Sequence, residues 1–207
     1  MTKPSYTRPS YFYRGIPDVY MQMGYYPFPT PSATEQLSRS VHIPYAMSMA
    51  EQCKYFMGQS EKMIVSDGAI GIAALSNPLR SGVHLFVHHW MITNPSPHPI
   101  EAHFLFGKAS SITGTTLSRQ VTSGYVQLPA CPAAQGQLLH GAGMTDTFSD
   151  HIHAATRIIP PSSTVEGTPG GQWILGPGMA LIVRVPHTGE KTSFSFSIDW
   201  WEQPVYG

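Results

Sequence analysis

Residues 193–200 read SFSFSIDW. Phe194, Phe196, Ile198 and Trp200 take every second position, with Ser193, Ser195, Ser197 and Asp199 between them. Side chains of an extended chain alternate between two faces, so this segment predicts a strand with one buried face and one wet face. Further β-type segments lie upstream. Met179 to Val185 is an apolar strand preceded by the turn Gly176-Pro177-Gly178, and His187-Thr188-Gly189-Glu190 reads as a hairpin loop into the last strand. Gly82 to Thr93 (GVHLFVHHWMIT) is the strongest strand signal, closed by Asn94-Pro95. Ile100 to Phe106 follows it, and the two read as adjacent antiparallel strands joined by the proline-rich NPSPHP loop. Shorter candidates are Lys62 to Val65, Ala69 to Leu75, Gly124 to Leu128, Thr156 to Ile159 and Gln172 to Leu175.

Short strands, Gly/Pro turns and little helix predict an all-β fold, a β-sandwich or jelly roll, over residues 46–207. Within it, residues 129–155 (PACPAAQGQLLHGAGMTDTFSDHIHAA) are rich in small residues and read as a long loop or insertion. A short helix is expected around Ser48 to Phe56, capped by Ser48 with Glu51 in capping-box spacing, while Lys54-Tyr55-Phe56 reads equally as the start of a strand. Cys53 and Cys131 match no zinc spacing. Two buried thiols are the plainest reading, with a disulfide within the chain or a cross-link between subunits as alternatives.

Residues 1–45 differ in kind. Seven of the ten tyrosines fall here, and seven prolines, three of them in the stretch YYPFPTP. Proline fixes φ and removes a ladder donor, so the segment is expected to be an extended arm. Its aromatic content is unlike that of a solvated tail, which is poor in apolar area, so the segment has to bury that area either on its own domain or on a neighbouring subunit. Tyr11, Phe12, Tyr13, Tyr20, Tyr25, Tyr26 and Phe28 are the expected contact residues, with Trp201 as an acceptor on a neighbour.

Charge narrows the function. Only 12% of residues are charged and the formal net charge is +0, against about 25% charged residues in an average soluble protein. Weak self-repulsion favours association. Nucleic acid is not expected as a partner, because no basic stripe exists to neutralise phosphates. No run is apolar and long enough to predict a membrane span. Residues 1–15 lack the apolar core of a secretory signal, so synthesis in a cytoplasm and release by lysis of the producing cell are expected.

Histidine, with ten copies, is the one catalytic residue type in excess. His151-Ile152-His153 is the sharpest candidate. Imidazoles at i and i+2 of a strand share a face about 7 Å apart and can meet one metal, as in a cupin-type jelly-roll enzyme. That chemistry also needs a carboxylate at short spacing; the next glutamate is Glu166, beyond Pro160-Pro161, leaving Asp150 or His187 to complete a set through the fold. Read without that chemistry, these are solvated loop histidines, and the expectation is no metal and no cofactor. His84 and His88 read as sharing a face with Phe86 and Trp90, about 13 Å apart, too far for one ion. There is no GxSxG, GxxxxGK[ST] or GxGxxG. Trp200-Trp201 places one indole on each face of the last strand. Trp90 or Trp201 as a stacking platform defines a further alternative, a carbohydrate- or surface-binding module.

KYFMGQS at 54–60, ALSNPLRSGVHLFVHHWMITNPSPHPIEAHF at 74–104, and ILGPGMALIVRVP with FSIDWWEQP near the C-terminus together resemble a poorly characterised β-domain family of spore-forming Firmicutes. The resemblance covers about residues 50 to 204, rests on turns and strands, and leaves the arm out. It implies a spore-associated or extracellular setting, among structural proteins of spore surfaces, appendages or parasporal bodies. The expected function is therefore structural. The β-domain is a rigid unit that packs into an ordered array, filament, crystal or shell, its partner is a further copy of itself, and the arm reaches the neighbour.

Overall fold

In the computed structural model the described residues are 43–66, 68–144 and 151–205. The alternating strand is β13 (Thr192–Pro204), and it runs through the middle of a seven-stranded antiparallel sheet. On one side it pairs with β4 (Val83–Asn94). On the other it pairs with β1 (Tyr55–Gln59) and β2 (Met63–Val65). β10 (Ser163–Gly167) and β11 (Trp173–Leu175) line successive parts of β4, and β7 (Gln120–Ser123) closes the far edge along β1. The second sheet runs β6 (Thr116–Leu117), β8 (Gln137–Met144), β3 (Ile70–Ser76), β12 (Met179–Pro186), β5 (Ile100–Lys108), β9 (His151–Ile159), again antiparallel throughout. The two sheets pack face to face as a β-sandwich.

The period read in the sequence is the period of the core. Phe194, Phe196, Ile198 and Trp200 are all fully buried, facing Leu75, Phe104, Leu181 and Val183 from the other sheet. Burying each large apolar side chain contributes about 1.5–3 kcal/mol. β3 and β12 are buried on both faces: Ala73, Leu75, Leu181 and Val183 point into the sandwich, while Ile72, Ala74, Ala180 and Ile182 form a smaller apolar cluster on the far face. Continuous apolar runs such as IGIAALS mark strands covered on both sides.

Strand partners depart from the expectation. β4 and β5 are not a hairpin, nor are β12 and β13; each pair splits between the two sheets. The NPSPHP segment therefore crosses from one layer to the other. Asn94 secures that crossing from a fully buried position: its Nδ2 donates to the carbonyls of His98, Ile159 and Pro160, and its Oδ1 accepts from the Ser96 amide. Asn77 does the same at the end of β3, donating to the carbonyls of Val83 and Leu175. The two Asn-Pro steps are thus clasps at the layer crossings.

Local expectations were corrected as well. The helix α1 is Tyr45–Glu51; Ser48 lies inside it, and no side chain caps its start. Gly124 to Leu128 is loop, and the strand precedes it as β7. Residues 129–155 are not one long loop: they hold β8 and the first half of β9, because Leu138 and His140 gain an inner face by pairing along β3. Strand propensity in so small-residue-rich a segment is set by its neighbours, not by the segment itself. Cys53 and Cys131 are joined in a disulfide, Cα atoms 5.4 Å apart. It ties the end of α1 to the loop between β7 and β8. His42–Gly207 forms one compact unit that includes Tyr45 and α1.

Candidate functional site

A β-bulge decides which side chains reach the outer face of the seven-stranded sheet. Asp199 lies opposite His89, yet Trp200 lies opposite Val87, so His88 is an extra residue on β4. The alternation therefore changes phase there. Trp90 turns into the core with Val87 and Leu85, while His84, Phe86 and His88 face outward. His88 and Trp90 do not share a face.

Outward, Trp201 stacks on Phe86 at 5.5 Å and 6°, with Tyr45 edge-on at 5.4 Å and His88 at 5.8 Å. Tyr45 also hydrogen-bonds Gln203. Trp201 is only 6% exposed, so the domain itself covers it and it offers no open platform. Gly171 lies against the ring; a Cβ there would stand 2.1 Å from Trp201 Cη2, and its φ of +87° favours glycine independently. Beside this stack the Tyr55 hydroxyl meets His88 Nδ1 at 2.7 Å. His89 lies between Glu166 (3.3 Å) and Asp199 (3.7 Å). Burial first, then the charge of Asp199, pushes the Tyr55 phenol up, so it stays protonated and serves as a hydrogen-bond donor. The cluster ties β1, β4, β10 and β13 together through polar side chains.

Burial also raises the Asp199 carboxyl, against the opposing charges of His89 and His88 and a hydrogen bond from Tyr55. The folded state thus holds this proton more tightly than the unfolded chain. Its contribution to stability is full below the unfolded pKa and is lost as pH rises through the folded pKa. Asp199→Asn is expected to gain stability over the wild type at pH 7 and to lose that advantage at pH 4, as read by thermal melts. A variant less stable at pH 7 would mean that the contacts to His89 outweigh the cost of burying the charge.

His151 and His153 lie in strand β9, not in a loop, at the edge of the six-stranded sheet. They oppose Gly107 and Leu105 and face away from the sandwich interior, where a cupin-type centre would need them. His153 Nε2 meets Thr156 Oγ1 at 2.9 Å, and the same hydroxyl lies 3.2 Å from His103 Nδ1. Burial lowers the His103 pKa, opposed by Glu101 and reinforced by Arg184 and His153. Among the described residues no three His, Cys, Asp or Glu side chains converge on a metal position. Asp150 lies outside the described residues, and Glu166 belongs to the opposite sheet. Trp90, 3% exposed, packs on Phe104 at 4.5 Å in the core and is no stacking platform either. Tyr11, Phe12, Tyr13, Tyr20, Tyr25, Tyr26 and Phe28 lie outside the described residues.

The feature hidden from the sequence is the free edge of β9. Among the described residues β9 pairs with β5 alone. Among the described residues the other edge strands, β2, β6, β7, β10 and β11, have three, two, four, five and three residues; β9 has nine. It contains no proline or lysine, and its one fixed charge is Arg157. Ile152 and Ile158 stand 69% and 71% exposed on it. Short strands, prolines and lysines are how proteins protect sheet edges, and β9 has none of them; its one concession is the bulge at Ala154.

Residues 30–206 match the sequence profile of a family of unknown function (DUF6143). The chain belongs to this family. The match takes in the whole of the DUF6143 β-sandwich together with residues 30–42 ahead of α1. No curated protein and no solved structure matches the chain.

Proposed function

We propose that this protein is a structural subunit that self-assembles into an ordered array, filament, crystal or shell associated with a bacterial spore, its N-terminal arm contacting neighbouring copies. The observation that carries this reading is the β9 edge, unpaired among the described residues, a row of backbone donors and acceptors with exposed isoleucines and a single fixed charge. Such an edge is a template for strand addition. The near-zero net charge supports the same reading. The Cys53–Cys131 disulfide suits a final location outside a reducing cytoplasm.

Electron microscopy and light scattering on the full chain, beside a chain beginning at Ala46, test it. Ordered particles from the full chain and monomers from the shortened one are expected. Monodisperse monomers from both would overturn the structural reading. Assembly is expected to be tightest near neutrality. Histidine protonation in mild acid moves the net charge from +0 to positive, and tyrosine ionisation in strong base moves it to negative. Scattering that stayed flat between pH 4 and pH 11 would rule out electrostatic control.

A further inference from the structure

Only an extended segment able to donate and accept along its length can complete a sheet edge. In residues 1–42 prolines stand at 4, 9, 17, 27, 29 and 31. Each interrupts a ladder by removing an N–H. Between Pro17 and Pro27 lies Asp18–Tyr26, DVYMQMGYY, nine residues without a proline and as long as β9. Val19, Met21, Met23 and Tyr25 fall on one face of such a strand, and Tyr20, Gln22, Gly24 and Tyr26 on the other. The other long proline-free stretch, residues 32–43 (SATEQLSRSVHI), is polar and carries Glu35 and Arg39. The charges are complementary, since Asp18 is the one fixed charge of DVYMQMGYY and Arg157 that of β9.

Reach allows a neighbour as acceptor. The chain from Tyr26 to Ile43, extended at about 3.3 Å per residue, spans roughly 55 Å. A domain of this size has a radius of gyration of about 15 Å, so the segment can leave its own domain and arrive at another.

We propose that Asp18–Tyr26 of one copy adds as an edge strand to β9 of a second copy, making the six-stranded sheet seven-stranded. The inference rests on the self-assembly reading and names its contact. Pairing of this kind is heterologous, arm to edge, so each copy both gives and receives, and the contact propagates into open chains or rings. Ile152 and Ile158 would then meet apolar side chains of the donor across the new ladder.

The test uses the full chain in three forms: wild type, Ile152→Lys/Ile158→Lys on the exposed edge, and Met21→Pro/Met23→Pro in the donor. Sedimentation reads size, and hydrogen exchange reads the peptides covering 18–26 and 151–159, each at dilute and concentrated protein. In the wild type both peptides are expected to exchange at least about tenfold more slowly once particles form. Both variants are expected to stay small, with exchange independent of concentration. Slowed exchange at 151–159 without 18–26 would mean that β9 pairs with β9 of another copy, and would overturn the proposal. So would particles in which neither peptide is protected, or protection at both that is already complete in dilute monomer, the mark of pairing within one chain. Wild-type protein that forms no particles at any concentration would instead remove the self-assembly reading itself.

Discussion

Replacing Cys53 and Cys131 together by serine is expected to cost about 4 kcal/mol of stability, from the chain entropy released when a long closed loop is opened. The bond spans 78 residues of sequence, enough to hold β1 to β7 and the segment beyond within one covalent loop. What it anchors has little else to hold it. In the connection between β7 and β8, Val126 is 91% exposed and Leu128 97% exposed, so burial contributes almost nothing there. Gly124 keeps one tie, its amide donating to the Tyr55 carbonyl at 2.8 Å. Urea denaturation of the wild type with and without reductant, beside the double serine variant, measures the effect. Proteolytic nicking between residues 125 and 134 should appear on reduction, since exposed, weakly held loops are where proteases cut. A loss below about 1 kcal/mol would show that the connection orders itself without the bond.

Glu202→Ala is expected to be comparably damaging, about 3–5 kcal/mol. Glu202 is buried at the end of β13 and accepts from the Gln135 amide at 2.9 Å, the Gly136 amide at 2.8 Å and Trp200 Nε1 at 3.1 Å. Truncating it strands three donors, and each buried unsatisfied donor costs about 1–3 kcal/mol. Glu202→Gln keeps one acceptor oxygen but turns an amide NH2 towards donors, so an intermediate loss is expected. The two substitutions compared by urea denaturation separate acceptor loss from simple loss of packing. An alanine variant within about 1 kcal/mol of the wild type would mean that water replaces the carboxylate at all three donors. The Trp-Trp-Glu ending thus has three separate tasks. Trp200 fills the core, Trp201 closes the outer aromatic stack, and Glu202 fastens the end of the β7–β8 connection at Gln135 and Gly136, beyond the point where the disulfide holds it at Cys131.

Much of this was legible because it is local. The Phe/Ser alternation of 193–200 and the apolar run of 70–76 are direct statements about which faces are buried, and they specify the sandwich and part of its core. The Asn-Pro steps marked strand ends, although their clasping role emerged only from the carbonyls they meet across the layers. The candidate sites were legible only in part. The His-Ile-His pattern correctly put two imidazoles on one face, but nothing local said that the face points away from the core. Tyr55, His89, Asp199 and Glu166 carried no motif, since they come from four strands brought side by side by register.

The sequence by itself therefore determined the all-β class, the inner face of β13, the distinct composition of residues 1–45 and the low charge that favours association. Each follows from period, proline content or net charge, which need no knowledge of distant neighbours. Only the tertiary structure decided that β4 and β5, and β12 and β13, part between two sheets, that His88 bulges and flips the phase of β4, that Cys53 meets Cys131, and that β9 is the long edge with no second partner among the described residues. These are choices of partner among residues far apart in the chain. Partner choice is settled by how both faces of every strand are covered at once, and a single segment holds no record of it.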